Sequence, residues 1–597
     1  MVKRLPDRKE IDDRYKWKLE DIYENEELWE NDFNRVKVIL NEILKYKGKI
    51  NNDKSLLEVL KLNDDVSILT NKLIAYAKMR KDEDNSNGKY QALADRAMTL
   101  NIQVLSATSF IIPEVLSIDE TAIKDYLDRN TELGVYKHFL DDILRYKPHV
   151  LSDKEERLLA ETGIIAQAPG NIFKMLNNAD IKFPIIKDDD GNDVELTHGN
   201  FIKFMESRNR DVRYNAFNGM YNTYKNFINT YSSMTDSNVK KDIFYSKMRN
   251  HKSSLEASLF DDNVPVEVYN NLINTVHDKI DLLHRYVKLR KKFLKLEELH
   301  MYDLYVPLIK EYDKHYKYEE AVNIVLEGLK PLGNDYVDIL KSGFDSKWID
   351  VFENRGKTSG AYSWGAYGVH PYVLLNYQGN LNDVFTIAHE MGHSLHTHYS
   401  MSCQPFVYSE YKIFVAEVAS TCNEALLMNY LLEKAKEKNE RLYLLNHYLE
   451  EFKGTIFRQV MFAEFEKFTH ETDEKGESLT PELLCKKYHE LNKFYYGNDI
   501  VVDEGINYEW ARIPHFYMGF YVYKYATGFS SATALSQMIL KEGKPAVDRY
   551  KEFLKEGSSD YPLNLLKKAG VDLTSPKPVL DALDVFEKLL QEMEKEI

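Results

Sequence analysis

The chain has 597 residues, too many for one ordinary domain, because hydrophobic cores stop growing at about 250–300 residues. With 44% hydrophobic and 29% charged residues, the composition excludes a disordered or fibrous protein. The net charge of −16 is not interrupted by a long basic stripe, so we expect neither nucleic acid nor an anionic membrane surface as a partner.

Cysteine usage and the N-terminal sequence favour a reducing compartment. Cys403, Cys422 and Cys485 have no CxxC spacing and are too few for a disulfide framework. The basic N-terminal residues are not followed by an apolar signal segment, and no later stretch approaches about 18 uncharged apolar residues. We therefore expect a cytoplasmic protein without a membrane partner.

Glycine and proline are scarce, which predicts a mainly α fold. The 26 glycines and 16 prolines fall well short of the ~12% that these residues usually contribute. From Glu27 to about Asn130, apolar residues recur three and four apart, as on antiparallel helices. Ser152 and Glu155 have the spacing of a capping box, so a helix should begin there.

A β-hairpin is predicted in the segment 183–197, where two short apolar runs enclose an Asp/Gly/Asn cluster. A calcium loop is the alternative, but an EF-hand needs glycine at its sixth position. Counting from Asp188 puts Gly191 at the fourth position, which favours the hairpin. We place a domain boundary here, between an N-terminal helical lobe, 1–195, and a larger domain, 196–597.

Helical periodicity resumes after the hairpin and stops at the segment 356–379. Its glycines, aromatic and β-branched residues alternate without helical period, which predicts a small sheet beside the next helix. Such a sheet is either a packing platform or an edge that binds an extended peptide as an added strand. The sequence favours neither reading.

The next helix carries a potential metal site. We expect it to begin at a cap formed by Asn382 or Asp383. His393 follows His389 by four residues, which on a helix leaves the two side chains only about 40° apart around the axis. Both imidazoles can therefore reach one tetrahedral zinc ion. Glu390 projects about 100° from His389, where it can reach a water held by the metal without being a ligand. The alternative is a surface helix that happens to carry two histidines.

A catalytic zinc ion needs a third protein ligand, commonly a carboxylate. Glu417 and Glu424 are seven residues apart on the next periodic segment and share a helix face. Glu417 lies among Val and Ala residues, where an unpaired carboxylate would be costly to bury, so we prefer it as the ligand. Glu424 is then either a hydrogen-bond partner of a ligand histidine or a solvated surface residue. His396 is expected to support the site or to be packed, because three ligands suffice.

Several motifs together resemble the thimet oligopeptidase-like metallopeptidases, and most closely their oligoendopeptidase F branch. They are HEMGHSLH from His389, Glu417-x-x-Ser420, the stretch GAYSWGAYGVHPYVLLNY, the later HFYMGFYVYKYATGFSSA, and the opening segment from Tyr15 to Tyr23. The resemblance therefore extends over essentially the whole chain.

The resemblance implies that His389, His393 and Glu417 bind one Zn²⁺ ion and that Glu390 is the general base. It also implies a two-lobed, mainly helical body that encloses a deep channel, which admits short unstructured peptides and excludes folded proteins. The domain 196–597 would then be the zinc metallopeptidase catalytic domain.

An aromatic segment near the C-terminus supplies candidates for stabilising an oxyanion. If it is helical, Tyr517, Tyr521 and Tyr525 share one face, and a phenol or imidazole aimed at the zinc could donate to the oxyanion. The alternative is an aromatic core stripe. Family members carry a histidine and several tyrosines here at a different spacing, so the resemblance does not assign the oxyanion role to one tyrosine. Our order of preference is His515, Tyr521 and Tyr525.

We predict a zinc-dependent endopeptidase that hydrolyses internal bonds of short peptides after Glu390 activates water. Two alternatives are an exopeptidase of the dicarboxypeptidase or aminopeptidase type and a non-catalytic peptide-binding protein. The sequence predicts neither the oligomeric state nor the side chains preferred around the cut.

Overall fold

The computed structural model of the protein describes residues 4–309 and 314–596. It is 72% helix and 3% strand, which confirms the mainly α fold with small sheets. The helices are α1 Glu26–Ile43, α2 Asp53–Glu83, α3 Gly88–Thr108, α4 Ile111–Ser117, α5 Glu120–Arg129, α6 Lys137–Arg145, α7 Asp153–Ala166, α8 Ala168–Met175, α9 His198–Met205, α10 Arg210–Asn226, α11 Ile228–Met248, α12 Ser254–Phe260, α13 Val266–Asp278, α14 Ile280–Phe293, α15 Tyr318–Gly328, α16 Asn334–Asp345, α17 Leu381–Cys403, α18 Ile413–Lys434, α19 Lys438–Phe452, α20 Arg458–Glu474, α21 Pro481–Tyr496, α22 Tyr523–Glu542, α23 Lys544–Lys555, α24 Pro562–Ala569 and α25 Lys577–Glu594.

The chain forms two compact units that are interleaved in sequence. The first unit comprises Met1–Pro148, Asp313–Tyr430 and Leu535–Val571, and the second comprises His149–Tyr312, Leu431–Ala534 and Asp572–Ile597. No border of either unit falls at the predicted boundary between residues 195 and 196. Compactness follows the packing of helices that are distant in sequence, and the division into 1–195 and 196–597 stays a prediction.

The predicted hairpin and capping box are both present. Strands β1 Ile185–Lys187 and β2 Asp193–Glu195 pair antiparallel, with Ile186 opposite Val194. Asp188 closes the turn by accepting hydrogen bonds from backbone N–H groups on its far side, as in an Asx turn. At the start of α7, the side chains of Ser152 and Glu155 each accept from the other's backbone N–H.

The predicted small sheet is present, with strands β3 Ile349–Asp350, β4 Tyr362–Trp364 and β5 Tyr372–Leu374. Their order is β3–β5–β4, so β4 lies at an edge. β5 pairs parallel to β3 and antiparallel to β4. Tyr372 and Leu374 of β5 belong to the same buried cluster as residues of α1, α2 and α3, which anchors the sheet in the core of the first unit.

The segment Gly88–Ser117 is long and apolar enough to cross a membrane by length and composition alone. Its mean hydropathy reaches 1.3 over an 18-residue window, of which 28% is buried. In the structure it forms two helices, α3 and α4, and its residues Leu100, Val104 and Ile111 lie in the core of the first unit. The absence of a membrane partner stays a prediction.

Candidate active site

The helix α17 carries the two histidines and begins two or three residues earlier than expected. Asn380, rather than Asn382 or Asp383, is its N-cap and accepts from the backbone N–H of Asp383. Asp383 in turn accepts from the backbone N–H groups of Gln378, Gly379 and Asn380. The sequence expectation was wrong because it did not allow Asp383 to be the second member of a capping box.

His389, His393 and Glu417 converge on one point in the first unit. The nearest pairs are His389 Nε2 to Glu417 Oε2 and His393 Nε2 to Glu417 Oε2, each 3.3 Å apart. Two ligands held about 2.05 Å from a tetrahedral zinc ion would be separated by about 3.3 Å, so both distances fit a bridging ion. In the described part of the chain, these side chains are identified as a group that could hold a metal. Two imidazole nitrogens and a carboxylate oxygen form a donor set that suits zinc.

Gly392 allows the two helices of the site to approach. A Cβ atom at this position would lie 2.6 Å from Ser420 Cα and 2.8 Å from the carbonyl oxygen of Ala419. These distances are shorter than side-chain contacts allow, so the crossing of α17 over α18 requires glycine here. The crossing brings Glu417, on α18, to the histidines of α17.

Glu424 orients one of the histidines. Its Oε2 lies 3.2 Å from His389 Nδ1, on the opposite side of the ring from Glu417. A proton held at Nδ1 leaves the lone pair of Nε2 free to bind a metal, which is the usual role of such a carboxylate. Of the two roles that the sequence left open for Glu424, the structure favours the hydrogen-bond partner.

The reason given for preferring Glu417 as the ligand was wrong, although the geometry favours the same residue. The Glu417 side chain is 47% exposed and that of Glu424 is 24% exposed, so Glu417 is not buried among its apolar neighbours. Neighbours in sequence point to other faces of a helix and do not report the environment of one side chain. What distinguishes the two carboxylates is which nitrogen of His389 each one meets.

The charges of the site shift one another's pKa. Partial loss of solvation acts to raise the pKa of Glu417, but its hydrogen bonds to His389 and His393 outweigh this and hold that pKa well below its usual range. Burial likewise acts to lower the pKa of His389, and the two carboxylates raise it. The carboxylates of Glu417 and Glu424 therefore stabilise positive charge on the His389 ring.

Glu390 is 7% exposed and follows His389 directly on α17. Burial raises the pKa of its carboxyl group, and the charges of His389 and His393 oppose this. A carboxylate with a raised pKa accepts a proton more readily, as a general base requires. His396, by contrast, is a packed residue: its ring stacks on that of Tyr411 at 3.7 Å, and burial lowers its pKa to about 3.

His515, Tyr521 and Tyr525 form a cluster in the second unit. His515 Nε2 lies 3.3 Å from the Tyr525 hydroxyl, and the Tyr521 ring lies 6.1 Å from that of His515 and 5.5 Å from that of Tyr525. Burial lowers the pKa of His515, which favours its neutral form. The structure thus groups these three candidates with one another.

The segment does not form the continuous helix that would put these tyrosines on one face. Tyr517 ends a 3₁₀ helix, Pro514–Tyr517, whereas α22 begins only at Tyr523. Between them Phe520 has a φ of +54°, which interrupts any right-handed helix. Tyr517 is instead stacked on Phe173 at 4.4 Å, so it belongs to the packing of the second unit.

Sequence reasoning missed two residues that shape the site. Gly392 has a recognisable signal, because glycine inside a helix is costly and often marks a close approach of another backbone. Ser420 was quoted only as part of a motif, yet its hydroxyl lies 3.0 Å from Glu417 Oε2, where it can donate a hydrogen bond that orients this carboxylate. A serine one helical turn after the candidate ligand is the only local hint of this role.

Comparison with known proteins agrees with the site. The model of peptidase family M3 matches residues 203–585, and that of oligopeptidase F matches residues 114–183. The chain belongs to peptidase family M3. Family M3 consists of zinc metallopeptidases, so this chain is a peptidase that hydrolyses peptide bonds of oligopeptides. The interval between the two matches contains the domain boundary predicted at residue 195, and the compact units do not follow it.

Relatives from this family match the chain over nearly all of its length. Oligopeptidase PepF of Bacillus subtilis is 51% identical over 99% of this chain and 88% of its own length. The crystal structure of oligoendopeptidase-F from Enterococcus faecium is 38% identical, with a TM-score of 0.74 over 96% of this chain and 99% of that one. A crystal structure from Chlamydophila abortus has a TM-score of 0.94 and 36% identity, with complete coverage of both chains.

Proposed function

We propose that this protein is a zinc-dependent endopeptidase that cleaves internal bonds of short, unstructured peptides. The observation that carries the proposal is the convergence of His389 Nε2, His393 Nε2 and Glu417 Oε2, at separations that suit one tetrahedral ion. Membership of family M3 and the names of the relatives support a peptidase, and the donor set supports zinc.

His389, His393 and Glu417 would hold the ion, and Glu424 would keep His389 in the tautomer that binds it. When bound, zinc supplies Lewis-acid polarisation of the scissile carbonyl and lowers the pKa of a water molecule to about 7. Three protein ligands would leave a fourth position for water or substrate, as catalytic zinc sites require.

Glu390 is the proposed general base. It is buried, it lies next to His389 on α17, and its pKa is raised, so it is suited to take the proton from the attacking water. It would then pass this proton to the nitrogen of the leaving amine, and the carboxylate would be regenerated for the next turnover.

His515, Tyr521 and Tyr525 are the proposed donors to the oxyanion. Their mutual distances support a role as a group, because the His515–Tyr525 contact orients both side chains. Donors that are already aligned before the reaction stabilise developing charge without reorganisation, and this effect is usually large.

The edge strand β4 is the proposed site for the peptide backbone. β4 pairs with β5 on one side only within the described sheet, and its Ser363 Oγ lies 2.9 Å from Ser394 Oγ of α17. A peptide that adds to this edge as a strand would therefore run beside the helix that carries His393. This favours the peptide-binding reading of the sheet over a packing platform.

The decisive experiment is mass spectrometry of the products from a mixed pool of short peptides, with and without a chelator. We expect internal cuts that stop when zinc is removed and resume when it is restored. Loss of one or two residues from peptide termini would indicate an exopeptidase. Tight binding without cleavage by the zinc-loaded protein would indicate a peptide-binding protein.

The deep channel, the exclusion of folded proteins and the cytoplasmic location stay predictions. A disulfide-locked protein that contains a cleavable sequence tests the first two, because a folded loop must unfold locally before its backbone can add to a sheet edge. We expect the linear peptide to be cut and the locked protein to resist. Equal rates on both would contradict the channel.

A further inference from the structure

The loop that separates His515 from Tyr521 is held by a buried acid on a different helix. Glu466, on α20, is 2% exposed, and its Oε1 accepts a 2.7 Å hydrogen bond from the backbone N–H of Phe520. Among the described residues, Glu466 is the hydrogen-bond acceptor for this N–H. The contact falls at the residue immediately before Tyr521.

Phe520 has the backbone conformation that most needs such support. Its φ of +54° is unfavourable for a side chain with a Cβ atom, and of the five non-glycine residues with positive φ in the described chain, Phe520 is the aromatic one. Its ring is buried and lies 4.4 Å from the ring of His470 and 5.8 Å from that of Tyr269. A strained conformation persists only where surrounding contacts determine it, and here the ring and the N–H are both held.

Two further hydrogen bonds hold the same loop at its backbone. Asn238 Nδ2 donates to the carbonyl oxygen of Phe516 at 3.1 Å, and Ser258 Oγ donates to that of Gly519 at 2.9 Å. The contacts come from α11, α12 and α20, so three helices of the second unit define the path of the loop. The Glu466 contact is the one made at the strained residue itself.

Burial favours the neutral form of the Glu466 carboxyl group, which the neutral side chain of a glutamine can imitate. Burial raises its pKa to about 8; the charge of His470 opposes this and that of Asp242 adds to it. The Tyr269 phenol also interacts electrostatically with it. His470 is fixed between the carbonyl oxygen of Glu466 at 2.8 Å and Asp242 Oδ2 at 3.3 Å. Glu466 Oε2 has no hydrogen-bond partner among the described residues.

We propose that Glu466 is a positioning residue that holds the loop 516–522 in its strained path, so that Tyr521 and Tyr525 remain beside His515. The inference rests on the proposed role of these three side chains as donors to the oxyanion. Glu466 acts through the backbone of Phe520. Its loss therefore affects the alignment of the donors rather than the affinity for the substrate.

The test compares two substitutions of Glu466 that fill nearly the same volume. Glu466→Met removes the acceptor, and Glu466→Gln retains an oxygen that accepts from the N–H of Phe520. Glu474→Ala is the matched control, because Glu474 also lies on α20 and accepts from a backbone N–H, that of Ser254 at 2.8 Å, which is not part of the loop 516–522. Each variant is studied as the full chain with zinc.

Misaligned donors weaken the transition state more than the bound substrate, so in Glu466→Met we expect kcat to fall about 10-fold or more and KM to change less than about 3-fold. Glu466→Gln and Glu474→Ala should stay within about 3-fold of the wild-type kcat. Hydrogen exchange at the Phe520 amide should accelerate in Glu466→Met alone, because only that variant leaves the N–H without an acceptor. If Glu466→Met does not fold, Ser258→Ala gives the same readouts, with a smaller fall in kcat and faster exchange across 516–522.

Unchanged exchange at Phe520 in Glu466→Met would overturn the inference, as would faster exchange with an unchanged kcat. A fall in kcat of the same size in Glu474→Ala would also overturn it, since this would indicate a general loss of stability. The exchange measurement does not depend on activity, so it still decides whether Glu466 holds the loop if the wild-type protein cleaves no peptide. That last result would refute the proposed function by itself.

Discussion

Substituting Gly392 by alanine tests whether the metal site depends on the close crossing of α17 and α18. The added Cβ atom would lie 2.6 Å from Ser420 Cα and 2.8 Å from the carbonyl oxygen of Ala419. Both neighbours are backbone atoms of α18, so no side chain can rotate away to relieve the contact. One of the two helices has to move.

The size of that movement follows from ordinary contact distances. Carbon atoms pack at about 3.5–4.0 Å, so the helices must part by about 1 Å. The distance of 3.3 Å between His393 Nε2 and Glu417 Oε2 would then approach about 4.3 Å, which exceeds the reach of two zinc bonds of about 2.1 Å each. We expect the zinc dissociation constant to rise about 10–100-fold, as when support for a ligand is lost. Overpacking should also cost about 1–3 kcal/mol of folding free energy.

The assay is a zinc titration against a chelator of known affinity, followed by kcat with a quenched peptide at each level of bound zinc. Gly163→Ala is the control, because it also replaces a helical glycine but nothing lies within 4 Å of the added Cβ atom. That change should leave zinc affinity unaltered and stabilise the protein by up to about 1 kcal/mol. In Gly392→Ala, excess zinc should restore part of the lost rate.

Wild-type zinc affinity in Gly392→Ala would refute this reasoning, because it would mean that the helices accommodate the methyl group without moving the ligands. A loss of affinity of equal size in Gly163→Ala would refute it as well. A stability change in Gly392→Ala without a change in zinc affinity would separate the packing of α17 and α18 from the geometry of the site.

Three further predictions concern single carboxylates. Glu390→Gln should keep zinc and peptide binding but lower kcat by about 10²–10⁴-fold, because an amide cannot accept the proton; wild-type turnover by a metal-replete sample would remove Glu390 as the base. Glu417→Ala should weaken zinc binding more than Glu424→Ala, for which we expect about 10–100-fold; the reverse order in a metal titration would contradict the ligand assignment. The pKa of Glu466 rises from 4.5 to about 8 on folding, so the folded protein retains a proton that the unfolded chain releases. The free energy of unfolding of the wild type should therefore fall, relative to Glu466→Gln, as pH rises from about 4.5 through about 8, by up to ~5 kcal/mol. Denaturant unfolding of both at pH 5 and pH 9 measures this, and parallel changes would contradict it.

Features of the molecule that depend on short-range geometry could be predicted from the sequence. The spacing of His389 and His393 places both on one face of a helix, because the helical repeat is the same in every context. The hairpin and the capping box at Ser152 are likewise closed by residues a few positions apart. The mainly helical fold follows from composition and from the period of apolar residues.

The choice between Glu417 and Glu424 depended on tertiary structure. Both lie on one face of α18, and periodicity cannot show which nitrogen of His389 each will meet. That is decided by the angle and depth at which α18 crosses α17, which Gly392 permits. A glycine in a helix signals a close approach, but it does not name the partner.

The path of the aromatic segment and the borders of the compact units likewise could not be predicted from local sequence patterns. The four-residue spacing of the tyrosines would put them on one face only in a helix, but Glu466 and the ring contacts of Phe520 hold the chain in a conformation that local preference disfavours. The two units are built from segments hundreds of residues apart, so no local change in composition marks their borders. Sequence determined the elements and the chemistry that each can carry, because both depend on nearby residues. Packing between distant elements decided which side chains meet, because a buried contact stabilises the fold whatever its separation along the chain.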